Sequence, residues 1–409
     1  MSTSPTGRSS QGDRPALRRC LELDPDTFAA EHWGRTPVLG HPGSFADLLT
    51  LDDVDELLSR RGLRTPFLRV AKDGAVLSSA QFTSGGGVGA EVADQVNDGK
   101  VARLFDQGST LVLQGLHRLW PPLVEFASQL GVDLGHPVQV NAYITPPSSQ
   151  GFSAHYDVHD VFVLQVAGEK RWLIHEPVHR DPLRDQPWDQ HAAAVRERAQ
   201  GEPLIDTVLR PGDALYLPRG YLHSARALGG VSAHITVGIH VLTRYALVEA
   251  LLKLAGAEEE LRTTLPLGID AASPDELTQH LDATLDALVR TLKAADPAEV
   301  SRLVRNRVWS GTKPAPLAPL AQAAAAQSVA EGTRVVLRRG LRHRLTTRGD
   351  RALLDLPGDR LDLPAYTAPA LAALLTGAPA AVGELPGLDA ADQVTLVRRL
   401  LREGVLVPE

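Results

Sequence analysis

Cysteine occurs once in the 409 residues, at Cys20, so neither an intramolecular disulfide nor a thiolate metal cage can be built. That scarcity fits a reducing, cytoplasmic setting. A basic excess is also missing. The 42 Lys and Arg against 49 Asp and Glu give a net charge of −7, which removes any overall pull toward nucleic acid or an anionic membrane and leaves only local patches to consider. No run approaches the roughly 18 consecutive apolar residues that a membrane-spanning helix needs. Met1 to Pro15 is polar and lacks the apolar stretch of a secretory signal, so it reads as a tail. No internal repeat of fixed period is evident.

What is present is ordinary globular composition, 43% hydrophobic and 22% charged, in a chain long enough for two or three structural units. Apolar residues recur at helical spacing from Phe28 to Leu58. The texture then changes. Phe67 to Val70, Ser109 to Leu113, Val138 to Ile144, Val161 to Val166, Arg171 to Ile174, Ala214 to Leu217 and His234 to Val241 are short β-rich runs. Turn clusters such as Ala167-Gly168-Glu169-Lys170 and Pro211-Gly212-Asp213 separate them, which indicates a sandwich or barrel, jelly-roll cupins being one such solution. A helical block follows, with Leu277, Leu281, Leu285, Leu288, Val289 and Leu292 at three- and four-residue steps. After a Pro- and Ala-rich linker, a strand-like Arg334 to Arg338, helices at Ala368 to Leu375 and Ala390 to Glu403, and a final Val405-Leu406-Val407 follow the pattern of a winged helix.

The chemistry concentrates at His155-Tyr156-Asp157. Residues i and i+2 of an extended segment point to one face, so an imidazole nitrogen and a carboxylate oxygen can reach a single ion. The third ligand candidate is His223, after a Pro-Gly-Asp turn, an apolar strand and Pro218-Arg219-Gly220-Tyr221-Leu222. Two histidines and a carboxylate leave the remaining positions of an ion open, the facial arrangement of non-haem iron(II) oxygenases. His-x-Asp alone is a weak signal that often arises by chance, and the plain alternative for the three residues together is a polar strand edge with ordinary surface histidines. Lys170 adds weight, because an ammonium facing the same cavity is costly to bury without an anion and a dicarboxylate would supply one; a solvated turn lysine is the plain alternative.

The segments Asn141 to Pro147, Gly151 to Asp157, Asp160 to Val166, Gly168 to Trp172 and Pro218 to His223 together resemble the JmjC/Cupin-4 proteins of the ribosomal oxygenase branch. The resemblance implies an α+β fold. It divides the chain into a disordered tail (1–20), a JmjC/cupin double-stranded β-helix with N-terminal helices (21–242), a helical dimerisation domain (243–325) and a winged-helix-like domain (326–409). It implies iron(II) on His155, Asp157 and His223, with 2-oxoglutarate as cosubstrate and dioxygen as oxidant. Lys170 would hold the distal carboxylate, and Asn141, Tyr143 and Thr236 would line the cosubstrate pocket. No catalytic residue beyond the metal ligands is implied. The expected activity is hydroxylation of an Arg or His side chain in a ribosomal or other basic protein, by a homodimer without membrane attachment. Three other classes compete. Demethylation needs a pocket for a methylated ammonium, and none is recognisable in the sequence. Hydroxylation of a peptide or small biosynthetic molecule stays open. A non-catalytic nucleic-acid- or protein-binding module would draw on the basic cluster of Arg334, Arg338, Arg339, Arg342, Arg344 and Arg348. The helix from Ala390 has few side chains suited to reading base edges, so direct DNA binding is disfavoured.

Overall fold

The structure, a computed structural model, describes residues 14–72, 74–89 and 91–409. Its centre is a nine-stranded antiparallel sheet curled on itself. The strands used below are β1 (Val38–Gly40), β2 (Leu68–Lys72), β3 (Thr110–Leu113), β4 (Val138–Thr145), β5 (Asp160–His175), β6 (Ile205–Leu209), β7 (Ala214–Leu217) and β8 (Leu222–Ile239). β5 and β8 run antiparallel along nearly their whole length. β7 and β6 take the other edge of β5, one after the other, while β4, β3 and β2 continue from β8.

Period-two alternation sorts the side chains onto two faces. On one, Leu68, Val70, Leu111, Leu113, Val140, Ala142, Ile144, Phe162, Leu164, Ile235 and Val237 pack against the N-terminal helices, including Leu51–Arg60 and Pro121–Leu134. Burial of each such Leu or Val contributes about 1.5–3 kcal/mol, so register is strongly set, since a slip of one residue would invert every face. The opposite face turns inward. It is apolar at one end, where Val161, Val163, Trp172, Ile174, Leu215 and Leu217 cluster, and polar elsewhere.

Several expectations are corrected. Residues 14–20 of the supposed tail are folded: Ala16, Leu17 and Cys20 are buried, and the Asp133 carboxylate accepts from the Ala16 and Leu17 amides at 2.8 and 3.0 Å. The rest of that tail lies outside the described residues. Ala167 to Lys170 is no hairpin turn but part of the 16-residue β5. Gly168, at φ +60°, lets the strand bend there, opposite the register shift between Leu228 and His234. Between β5 and β6 a short helix forms, Ala192–Arg198, anchored by the buried Val195.

The helical block comprises Arg244–Ala255, Pro274–Ala294 and Pro297–Gly311. Beyond it a second core gathers Val335, Leu354, Leu371, Val397, Leu400 and Val405. The helix Pro319–Gln327 belongs with this core and not with the helical block, because Ala326 is buried in it and the Gln322 amide donates to the Leu401 and Leu406 carbonyls. A three-stranded meander from Arg344 to Pro364 also forms there, which the sequence patterns left unread.

Candidate metal centre

His155 and Asp157 lie on the segment entering β5, and His223 is the second residue of β8. Backbone hydrogen bonds lock the two segments together. The His155 amide donates to the His223 carbonyl at 3.2 Å and the His223 amide to the His155 carbonyl at 2.8 Å. The Gly220 amide donates to the Asp157 carbonyl. Gly220 has φ +90°, and a side chain there would collide with the His179 carbonyl at 2.7 Å, so the chain can approach this closely only with glycine. Asp160, fully buried, fixes the turn before His223 by accepting from the Arg219 amide and the Tyr216 hydroxyl.

One donor atom from each of His155, Asp157 and His223 lies within 4.8 Å of the other two. Among the described residues no other such group of three forms. Nδ1 of His155 is 2.8 Å from the Ser153 carbonyl and Nδ1 of His223 is 3.2 Å from the Tyr221 carbonyl. Each therefore holds its proton on Nδ1 and presents Nε2 as a lone pair, the tautomer that a metal ligand requires. Burial and the neighbouring His155 push His223 down to about 4, which keeps it neutral. Burial alone would raise the Asp157 carboxyl, but His159, His223, His155 and Arg69 together outweigh it and hold it below the usual range. Two imidazoles and a carboxylate form a mixed N/O donor set that fits a divalent first-row ion.

Further along the inward sheet face Lys170 is 2% exposed, and no carboxylate pairs with its Nζ among the described residues. Nζ donates to the Thr145 hydroxyl at 3.0 Å and lies 3.1 Å from Nδ1 of His234. Burial drives its pKa down to about 7. Trp172, two residues on along the same face, stands between: its ring centroid is 5.3 Å from His234 and 6.1 Å from His223. Tyr143 stacks on His234 at 5.0 Å, with 4° between the planes. Asn141 and Thr236 are cross-strand partners on the same inward face, and the Asn141 side-chain oxygen accepts from the Gly115 amide.

His155, Asp157 and His223 converge, Lys170 and Tyr143 meet at His234, and Asn141 and Thr236 lie on the same sheet face by register. Thr145 and Arg69 were not singled out, although Thr145 continues the Asn141, Tyr143 period of two. Of the other nearby histidines, His159 faces Gln139 and His240, while His179 stacks on His191.

Residues 126–247 match the model of the JmjC domain. Over 309 residues the chain is 30% identical to the bifunctional lysine-specific demethylase and histidyl-hydroxylase NO66 of Drosophila persimilis, a match covering 70% of this chain and 43% of that protein. It is 31% identical over 254 residues to ribosomal oxygenase 1 of Gallus gallus, covering 59% and 40%. The chain therefore spans about two fifths of the length of these curated relatives. In fold it is similar to the Escherichia coli ribosomal oxygenase YcfD (TM-score 0.56, 20% identity, 95% of this chain and 99% of that one). YcfD has also been solved in complex with cobalt and 2-oxoglutarate (TM-score 0.53, 20% identity, the same coverage). The JmjC match spans β4 to β8 and both donor-bearing segments.

Proposed function

We propose that the protein is an iron(II)- and 2-oxoglutarate-dependent hydroxylase acting on a side chain, Arg or His, of a ribosomal or other basic protein. The observation that carries this reading is the pairing, in one cavity, of the His155, Asp157 and His223 donor set with a buried, carboxylate-free Lys170. His155, Asp157 and His223 hold the iron. Lys170, with Thr145 beside it, takes the distal carboxylate of 2-oxoglutarate, and Asn141, Tyr143 and Thr236 line the space between. Iron(II) bound there supplies oxidation of a substrate C–H by dioxygen, coupled to decarboxylation of 2-oxoglutarate to succinate. The chain's own share is to fix the ligand tautomers, supply a cation for the cosubstrate and exclude water from the wall between Trp172 and Tyr143. The names of the relatives support an oxygenase acting on ribosomal protein.

The helical block acts as a homodimer interface. The Leu stripe of Pro274–Ala294 leaves Leu281, Leu285 and Val289 exposed at 53%, 46% and 45%, too apolar a face for a lone surface helix. The C-terminal winged-helix-like unit is structural, since most of its basic cluster is consumed internally. Arg338 donates to the Ala315 carbonyl, Arg342 to the Gly131 carbonyl, and Arg334 and Arg339 pair with Glu409 and Glu125.

The test incubates the iron(II)-loaded protein with 2-oxoglutarate and ribosomal proteins from cells lacking it. Succinate formation together with a mass gain of one oxygen atom on an Arg or His is expected, and the H223A variant should show neither. No cosubstrate turnover, with 2-oxoglutarate binding unaltered in K170A, would sink the reading.

A further inference from the structure

The far side of the central sheet carries a groove that has no part in the account above. Two helices, Leu51–Arg60 and Asp98–Asp106, form its walls, with Val54, Asp55 and Leu58 turned to it from the first and Val101, Ala102 and Phe105 from the second. Steps of three and four residues place each set on one helical face. Leu111 of β3, Ile144 of β4 and Val231 of β8 make the floor. Leu111 and Ile144 belong to the outer core, and Val231 packs against it. The groove therefore lies on the sheet face opposite Tyr143 and Lys170, and none of its lining residues belongs to the three-donor set. It encloses about 740 Å³, room enough for the side chains of a docked segment.

The lining side chains are apolar apart from Ser59 and three carboxylates, Asp55 on one wall and Asp98 and Asp106 at the two ends of the other, and no Lys, Arg or His is among them. All three carboxylates are exposed. Neighbouring carboxylates along the chain, Glu56 and Asp94, pair with Arg61 and Arg64, whereas Asp55, Asp98 and Asp106 form no ion pair among the described residues. Asp98 and Asp106, eight residues apart (106 − 98), stand about 12 Å from each other along the helix. Such a surface calls for a ligand that is apolar where it meets the floor and cationic where it meets the rims. Nucleic acid is repelled by the same carboxylates. Residues 1–13 bring one arginine, Arg8, offset by Asp13, and Met1 as their one large apolar side chain, too little to fill the groove. A second copy brings an acidic surface of its own: the net charge is −7, and the exposed Leu281 and Leu285 are interleaved with Asp282 and Asp286.

We infer that this groove docks a protein partner in the form of a basic amphipathic helix: an apolar stripe at three- and four-residue steps enters between the two walls, and Lys or Arg side chains about two turns apart pair with Asp98 and Asp106. Asp55 meets a cation on the other flank of the same helix. Each pair relieves the mutual repulsion of carboxylates that have no cation of their own. The partner sits on the outer face of the sheet, so it leaves the inward face open and binds whether or not that face is filled.

The test titrates the full chain into a fluorescently labelled, end-capped peptide of about 15 residues, with Leu at three- and four-residue steps and Lys elsewhere, and follows its anisotropy. Two control peptides carry the same residues in scrambled order or Glu in place of Lys. Expected is binding at least about tenfold tighter than either control, weakening as salt rises and unchanged by cobalt(II) or 2-oxoglutarate. It should weaken about tenfold or more in D55K/D106K, which reverses the charge, and in A102W, which fills the groove from an exposed helical position, both with the circular dichroism of wild type. No binding, equal binding of the scrambled or acidic peptide, or undiminished binding in either variant overturns the inference. Binding seen only after removal of residues 1–13 assigns the groove to the chain's own start. A lower solution mass for A102W than for wild type assigns it to a second copy, and either result also overturns the inference.

Discussion

At the scale of single residues, Lys170 carries the sharpest consequence. Its pKa is about 7 in the folded protein because burial opposes the charge, against an ordinary 10.5. Between these values the unfolded chain binds the extra proton and the native chain does not, so the stability of the protein free of cosubstrate rises with pH across that window. Below about pH 7 the penalty for the buried ammonium is present in full. Binding of a dicarboxylate needs the charged form. Its affinity therefore weakens as pH climbs above about 7, by up to about tenfold per unit, which calorimetric titration of 2-oxoglutarate into cobalt(II)-loaded protein would detect. K170M should abolish that binding while raising the stability of the cosubstrate-free protein by about 1–3 kcal/mol. Unchanged 2-oxoglutarate affinity in K170M would refute the carboxylate role.

At the scale of elements, the bend in β5 is what brings Lys170 and the segment bearing His155 and Asp157 to the same sheet face. Gly168 sits at φ +60°, and a Cβ on it would lie 2.1 Å from the Val231 carbonyl oxygen. G168A should lower stability by about 3 kcal/mol or more in denaturant unfolding, and weaken 2-oxoglutarate more than metal, since Lys170 is only two residues away. This strand also marks the limit of sequence reading. Gly168-Glu169 looks like a hairpin turn because a bulge and a turn draw on the same glycine chemistry, and only the long-range pairing with β8 tells them apart. The donor set was legible because both ends of it lie in local patterns, a period-two pair and a turn-strand-turn leading to His223. Thr145 was legible in principle through Asn141 and Tyr143. Arg69 was not, since a lone arginine between apolar strand residues gives no sign of which face the core occupies. The meander after Arg344 was obscured by its dense charges, which mask alternation.

At the scale of the whole molecule, the uncovered Leu stripe and the consumed arginines make opposite statements about partners. L281E/L285E should halve the solution mass measured by light scattering and leave the central sheet intact by circular dichroism, because those residues contribute nothing to either buried core. A wild-type monomer would remove the dimer from the reading. The reciprocal backbone bonds between His155 and His223 reach further still. They join segments that meet only once β5 and β8 are paired, so neither segment can offer the complete donor set before those two strands pair. An ion that waits for that pairing binds native chains and ignores unfolded ones. At a free concentration a hundred times its dissociation constant it adds about 2.7 kcal/mol to the native state. If the three donors hold iron as proposed, metal supply would set how long each copy of the protein survives as well as whether it can react; dialysis against a chelator should then lower the unfolding midpoint.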